Sequence, residues 1–455
     1  MLDKVIVWSE PQLKFKLGIQ ESIIDPKVGL LSHGPLDFNS RKRRFSKVRL
    51  GVICKEPRRI INFLNKLNSF IPPQKVGDQP YKGFQLIYKV PIEIPCEDEI
   101  GRITDSDLSG TLSLRGKSFE QVVELYDQKI QEFHDEMRGR YDVLVIQIPR
   151  ELSEYEDPRR SRKLWSSIKA AAIRKNIVTQ IITEKTLTSK YDCDNMWNLS
   201  LALYVKAGGV PWMLKKFTDT ESFIGIAYGI KKFRDGQRVL SGLAEIFDEF
   251  GEHVSVVSIT SEAFGKDFTL ETDGSYHLSE EKTALLIEKL IEEYKRKIGN
   301  PPRKVVIHKT TFFNRAEKEG VKEALSKFDS IYDLVNIVEN PSLRFFTAKK
   351  NPPQRGTFLR ISAASGLIYT TGYVKSFKTY PGIGIPKPLE FHLDEGKSEP
   401  HKIAKEILAL TKMDWNTTHL MIRKPVTIKY ASRIVDILKS GLRPHELVKD
   451  IRYYM

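Results

Sequence analysis

A chain of 455 residues, 40% of them hydrophobic, holds enough apolar material for roughly two to four cored domains and is not a disordered tail. Lys and Arg exceed Asp and Glu by 73 − 58 = 15, which favours a polyanionic partner, nucleic acid ahead of an anionic membrane because no amphipathic anchor stands out. Three widely spaced cysteines (Cys54, Cys96, Cys193) support neither a disulfide framework nor a structural zinc site, no run approaches the roughly 18 apolar residues of a membrane span, and the charged start MLDKVIVWSEPQLKF is not a signal peptide, so a cytoplasmic protein without a membrane partner is expected.

In chain order, VIVWSEPQLKFKLGI reads as a short extended segment and IIDPKVGLLSHGPLDF as a turn-rich stretch without helical period. RKRRFSKVR, from Arg41 to Arg49, carries six basic residues in nine; it suits phosphate contacts through counterion release, or equally a loop kept soluble by charge. A strand (KVRLGVIC), a helix (RRIINFLNKLNSF) and a strand-like segment (GFQLIYKVPIEI) follow, then a loop of acids and glycine, then the helix SFEQVVELYDQKIQEFHDEMRG. YDVLVIQIP, from Tyr141 to Pro149, is a continuous apolar run of the kind that forms a strand buried on both faces. The charged loop EYEDPRRSRK feeds an apolar helix around Lys169, a strand opening at Ile177, and a second apolar helix that ends at Gly208-Gly209 and is stopped by Pro211. This βαβ rhythm predicts one open α/β sheet domain over residues 45–206, preceded by an extended segment, 1–44.

Three polar residues break that pattern. Lys169 lies inside the first helix, Gln180 where the strand begins, and Lys206 on the last turn before the double glycine. If the second helix packs back on the first, two ammonium groups and an amide converge, which suits a multiply charged oxyanion such as a terminal phosphate. The competing reading is structural: Lys206 as a cation favoured by the helix dipole, Lys169 as a solvated stem.

Beyond Trp212, SFIGIAYGIKKF, VLSGLAEIFD and HVSVVSI read as three strands with DEFGE as a glycine turn, although GLAEIFDEF has helical propensity of its own. SEEKTALLIEKLIEEYKRKIG is an amphipathic helix with a capping Ser, acids first and bases last. KVVIHKTT is a strand and NRAEKEGVKEALSKF a helix. Three strands, a helix, a strand and a helix is the order of the ribonuclease H fold; DLVNIVEN, TFLRIS, GLIYTTGYV and two closing helices, EPHKIAKEILALTKM and SRIVDILKSGL, complete a domain over 207–455. His308 stands alone on its strand, expected to be satisfied or exposed, and the nine histidines show no metal-ligand spacing. TYPGIGIPKP lacks the strand-to-helix context of a dinucleotide-binding turn, and no P-loop, nucleophile elbow or cysteine-histidine arrangement is present.

These landmarks, in this order, resemble a short prokaryotic Argonaute, made of MID and PIWI domains without the N-terminal and PAZ domains of the long forms. The segments that carry the resemblance are the helix with Lys169, Gln180 at a strand start, YVKAGGVPW around Lys206, FIGIAYG, VVIHKTT, and LTKMDWNTTHLMIRKPVTIKYASRI near the C-terminus; EPQLKF and DPKVGLLSHGPLDF are similar to the family's opening segment. The resemblance implies an α/β fold, an open-sheet MID domain followed by a ribonuclease H-like PIWI domain. It implies that Lys169, Gln180 and Lys206 hold the 5′-phosphate of a small guide strand, often with a divalent cation, Mg²⁺, that also meets the C-terminal carboxylate, here that of Met455. Trp165 stands where the family usually has Tyr, His or Arg: an indole can stack on the first guide base but offers no hydroxyl to the phosphate, and it is otherwise a core aromatic.

Strand cleavage by this fold needs carboxylates that gather two metals about 4 Å apart. At the positions the resemblance assigns to them this chain has Ala227, Thr310 and Ser432. Glu245 and Asp248, on the second strand, are nearby acids expected at the surface or in a turn. The resemblance therefore implies a guide-dependent sensor without nuclease activity, which pairs a small guide RNA with single-stranded target DNA and activates an associated APAZ-containing effector (sirtuin-like, TIR or nuclease) in prokaryotic defence. Two rivals stand beside it: a guide-directed nuclease using acids such as Asp248, and an unguided basic RNA-binding protein.

Overall fold

The computed structural model describes the chain except for residues 1–4, 17–20, 22, 41–42, 44, 75–77, 113–118, 157–163, 233–237, 262–264, 348–350, 376–377, 379, 381 and 383. Arg41, Lys42 and Arg44 of the basic run, most of the charged loop EYEDPRRSRK and part of TYPGIGIPKP lie outside the described residues.

The apolar run near Tyr141 forms the strand Val143–Ile148, buried at every position, as an element covered on both faces must be. It lies between Val48–Cys54 and Thr179–Thr183, parallel to both. Ile92–Glu93 and Gly101–Arg102 extend the far side of Val48–Cys54. The helices Phe119–Met137 and Leu164–Arg174 cover one face, packing Tyr126, Ile130, Phe133, Ile168 and Ala172 on Ile53, Leu144 and Ile146. Pro57–Asn65 and Asp192–Lys206 cover the other, with Ile60, Phe63, Met196 and Trp197 around Val52 and Val145.

A second, nine-stranded sheet runs in the order Val5–Val7, Thr357–Arg360, Ser365–Ile368, Leu389–Glu395, Ile331–Val338, Lys304–Lys309, Ser222–Lys232, Arg238–Asp248, His253–Ser261. The last three form the antiparallel meander expected from their alternation; GLAEIFDEF is strand because Leu243 pairs with Ala227 on one side and Ser258 on the other. Glu280–Ile298, capped by Ser279, and Arg315–Ser326 cover one face. Pro400–Leu410 and Val426–Lys439 cover the other. The two sheets thus form a mixed α/β architecture of open sheets. No helix among the described residues is long and apolar enough to cross a membrane.

Two local expectations are corrected and two strands are added. IIDPKVGLLSHGPLDF contains a helix, Pro26–His33, whose N-terminal amides of Lys27 and Val28 donate to the Asp25 carboxylate; the Asp-Pro pair is an N-cap signal that outweighs the missing apolar period. GFQLIYKVPIEI is a short helix, Phe84–Tyr88, ended by Lys89 in a left-handed conformation, with only Ile92–Glu93 as strand. The opening segment contributes Val5–Val7 as an edge strand of the larger sheet, and Leu389–Glu395 is a strand that its mixed polarity hid. As for the basic run, Arg43 donates to Asp37 and to the Tyr204 hydroxyl, Lys47 pairs with Glu93 and Arg49 with Asp142. Arg43 and Arg49 thereby tie separate elements together, whereas the Lys47 pair lies at the surface.

Candidate functional site

The helix Leu164–Arg174 is buried from Ser166 to Ile173, three consecutive alanines letting it lie close to its neighbours. Lys169 is carried into this interior and is 1% exposed. Its ammonium donates to the carbonyl of Thr179, 2.7 Å away, at the start of the next strand. Gln180 follows on that strand, and its Oε1 accepts from the ammonium of Lys206 at 2.5 Å. Lys206, 2% exposed, comes from the last turn of Asp192–Lys206. The three residues singled out in the sequence are therefore brought together, and the competing reading of a solvated stem and a surface cation does not describe them.

Neither lysine meets a carboxylate among the described residues. Burial pulls both pKa values well below the usual lysine range; the Lys206 and Arg433 charges push Lys169 further down, and Arg433 does the same to Lys206. Cations buried without a counter-ion are costly, and perturbed groups of this kind make the cluster a candidate functional site.

Arg433 is the residue that sequence reasoning missed. It comes from Val426–Lys439, in the other domain, and its guanidinium lies 4.5 Å from the ring centre of Trp165. Among the described residues it makes no hydrogen bond or ion pair, so its five donors are free. Burial lowers its pKa, opposed by Tyr430 and Asp414. The Asp414 carboxylate is itself occupied, by Lys429, Tyr430 Oη and the Asn416 amide. A basic residue inside the apolar closing helix was the available signal. The domains are sewn together here: Ser166 Oγ and Ser440 Oγ are 2.6 Å apart, and Arg174 Nη2 donates to the Gly441 carbonyl at 2.5 Å. Trp165 is partly buried against the main core. Met455 is buried, and the turn before it, Ile451–Tyr453, packs on the Lys206 helix. Its carboxylate makes no ion pair among the described residues. Of the convergent side chains, the lysines and Arg433 offer a metal no ligand and Gln180 offers its amide oxygen; the carboxylate of Met455, after a turn that packs on the Lys206 helix, is of a kind that would suit a hard divalent cation.

On the larger sheet, His308 stands beside Gly225 in the parallel pairing of Lys304–Lys309 with Ser222–Lys232. Thr310 follows just past the end of the strand Lys304–Lys309. The helix Val426–Lys439 crosses over this strand so closely that a Cβ on Gly225 would lie 2.1 Å from the Thr427 carbonyl oxygen. Ser432, on that helix, donates to the Ile428 carbonyl at 2.9 Å. Beside Thr310, the buried Lys309 ammonium is 2.6 Å from both oxygens of Glu317, which also meets His277 Nδ1 at 2.7 Å and accepts from Tyr228 Oη at 2.6 Å. His308 is fully buried, its Nδ1 2.9 Å from Thr427 Oγ1, and burial lowers its pKa to about 3. Among the described residues no group of three or more His, Cys, Asp or Glu side chains is placed to hold a metal ion.

The two acids of the second strand part company. Asp248 Oδ1 accepts from the amides of Phe250 and Glu252, each at 2.9 Å, and so shapes the turn; burial pushes its pKa up to about 7. It pairs with Ser222, at the other end of the strand from Lys232 and five residues from Ala227 in sequence. Glu245 corrects the surface expectation: it is 0% exposed, opposite Gly225 and under the closing helix. Burial holds its pKa well above the carboxylate range, opposed only by the Ala431 amide. A raised folded-state pKa stabilises the protein below the unfolded value of 4.5, a contribution lost as pH rises through the folded value. The Glu245→Gln variant is therefore expected to melt above the wild type at pH 8, with the gap narrowing toward pH 5. Parallel melting curves across that range would show the isostere to be wrong.

No family model matches the sequence. A protein argonaute of Aquifex aeolicus (strain VF5) is 25% identical over 308 residues, covering 67% of this chain and 40% of that protein. Among solved structures, Clostridium butyricum Argonaute bound to a guide DNA (5′ deoxycytidine) and a 19-mer target DNA superposes with a TM-score of 0.72 at 18% identity, over 99% of this chain and 55% of that one. A structure of Aa-Ago with externally bound siRNA gives 0.66 at 18% identity, over 99% and 56%. The chain spans about half the length, or less, of the relatives it matches.

Proposed function

From the premise that this chain is an Argonaute homologue, we propose that it is a guide-dependent nucleic-acid sensor that binds without cutting. The observation that carries the reading is the pair of buried lysines, Lys169 and Lys206, which contact Thr179 and Gln180 and have no acidic partner among the described residues. A terminal phosphate monoester, with a charge of about −1.5 to −2, supplies the missing counter-charge. Lys169, Lys206 and Arg433 provide the cations, and the Gln180 amide a further donor. A divalent cation such as Mg²⁺ would be held by the Met455 carboxylate, and it would supply charge neutralisation beside the phosphate.

A guide RNA anchored at its 5′ end pairs with single-stranded target DNA, and the larger sheet with its helices holds the A-form-like duplex through its backbone. Ala227, Thr310 and Ser432 cannot ligate two metals as carboxylates do. The two acids of the second strand do not replace them: Asp248 is committed to its turn, and Glu245 is buried beneath a helix, which disfavours its charged form. Pairing is then a signal and not a cut, passed to an APAZ-containing effector that consumes NAD or nucleic acid in a prokaryotic defence response.

The test is to load the chain with 5′-phosphorylated or 5′-hydroxyl guide RNA and add labelled complementary DNA and Mg²⁺. The phosphorylated guide is expected to be retained at least about tenfold better, given roughly 1.5–3 kcal/mol for each hydrogen bond to a charged group, and the target to be recovered intact. Discrete cuts opposite the middle of the guide make the chain a nuclease. Equal retention of both guides makes it an unguided RNA-binding protein.

A further inference from the structure

We propose that Arg433 is a gate on Trp165, so that the first guide base can stack on the indole only after a 5′-phosphate has drawn the guanidinium away. The inference rests on the reading of the Lys169–Lys206 pocket as the phosphate site and adds a regulation of that site.

Trp165 is packed against the main core, and Arg433 lies over its ring, 4.5 Å from the centre. A planar base reaches that face only if the guanidinium leaves it. Arg433 is repelled by the two buried lysines, finds no hydrogen-bond partner among the described residues, and rests on the π-face as the remaining source of attraction beside the occupied Asp414. A phosphate reverses the balance. It neutralises the repulsion and presents two oxygens that match the guanidinium fork, a stronger interaction than cation–π contact at a partly exposed ring. Phosphate recognition and base stacking are thereby made cooperative without a change in the fold, each ligand group paying less once the other is seated.

The experiment is a fourfold comparison of short guide RNAs, with and without the 5′-phosphate and with and without the first base (an abasic nucleotide), by equilibrium binding. In the wild type, removing the base is expected to weaken a phosphorylated guide roughly tenfold, within the range for one stacked base, and a hydroxyl guide less than about twofold. In Arg433→Ala the base is expected to matter with or without the phosphate. In Arg433→Lys, which keeps the charge but not the planar fork, the same uncoupling is expected with a smaller loss of phosphate affinity. In Trp165→Ala the base ceases to matter. Thermal melts show whether each variant is folded. A base effect that is the same for phosphorylated and hydroxyl guides in the wild type, or that Arg433→Ala leaves unchanged, overturns the gate. If the phosphate itself makes no difference to wild-type binding, the phosphate-site reading has failed instead.

Discussion

Replacing Lys169 and Lys206 together by methionine is expected to abolish the preference for 5′-phosphorylated guides and, in the same protein, to raise the melting temperature of the unloaded chain. The two effects have one cause. Both ammonium groups are buried without a carboxylate among the described residues, and each is disfavoured by its neighbours. Methionine keeps most of the volume and removes the charge. The loss of two charge-assisted contacts, at about 1.5–3 kcal/mol each, corresponds to a drop in affinity of two to four orders of magnitude for the phosphorylated guide. The 5′-hydroxyl guide should change little. The sign of the pH dependence follows from the depressed pKa values. Between the folded value and the unfolded 10.5, the unfolded chain binds more protons, so wild-type stability rises with pH. The advantage of the methionine variant is therefore largest at the acidic end and closes toward pH 10. Binding curves for the two guides and melts at several pH values check both halves. Unaltered preference for the phosphate places the pocket elsewhere.

Gly225→Ala is expected to be strongly destabilising for a single added methyl group. Its Cβ would stand 2.1 Å from the carbonyl oxygen of Thr427 and 2.8 Å from the carbonyl carbon, both backbone atoms of the turn that opens the closing helix. Backbone cannot rotate aside as a side chain can, so the helix must lift off the sheet. Overpacking of this kind costs about 3 kcal/mol, or roughly 6–12 °C in a domain of this size. Gly229→Ala is the control on the same strand: there the nearest atoms are the Val435 Cγ1 at 3.0 Å and the Lys439 stem, which give way at lower cost. The same lift moves Arg433, six residues beyond Thr427, so Gly225→Ala should also weaken guide binding although it touches no part of the pocket. Equal melting temperatures for the two glycine variants would contradict the close approach of helix and strand.

The alternation of polar and apolar residues was enough to read most of the architecture. YDVLVIQIP could only be a strand covered on both faces, and the three-strand meander after Glu221 follows from its period of two despite the helical propensity of GLAEIFDEF. Lys169, Gln180 and Lys206 were legible as exceptions to an otherwise apolar pattern. The helix at Pro26 and the short helix at Phe84 were not, because capping and a left-handed stop decide elements too short to show a period.

What the sequence determined by itself is most of the longer elements, the surplus of positive charge and the three polar residues that interrupt two apolar helices and a strand. What only the tertiary structure decided is which charges are alone. Arg433 reaches a pocket built some 264 residues earlier in the chain because one helix of the second domain crosses against the first. Burial under that same helix raises the pKa of Glu245 well above the usual carboxylate range, whereas three basic residues of the Arg41–Arg49 run are each answered by an acid. The energy of a charge depends on what surrounds it in space, water or carboxylate or hydrocarbon, and spacing along a chain carries none of that information until the chain has folded.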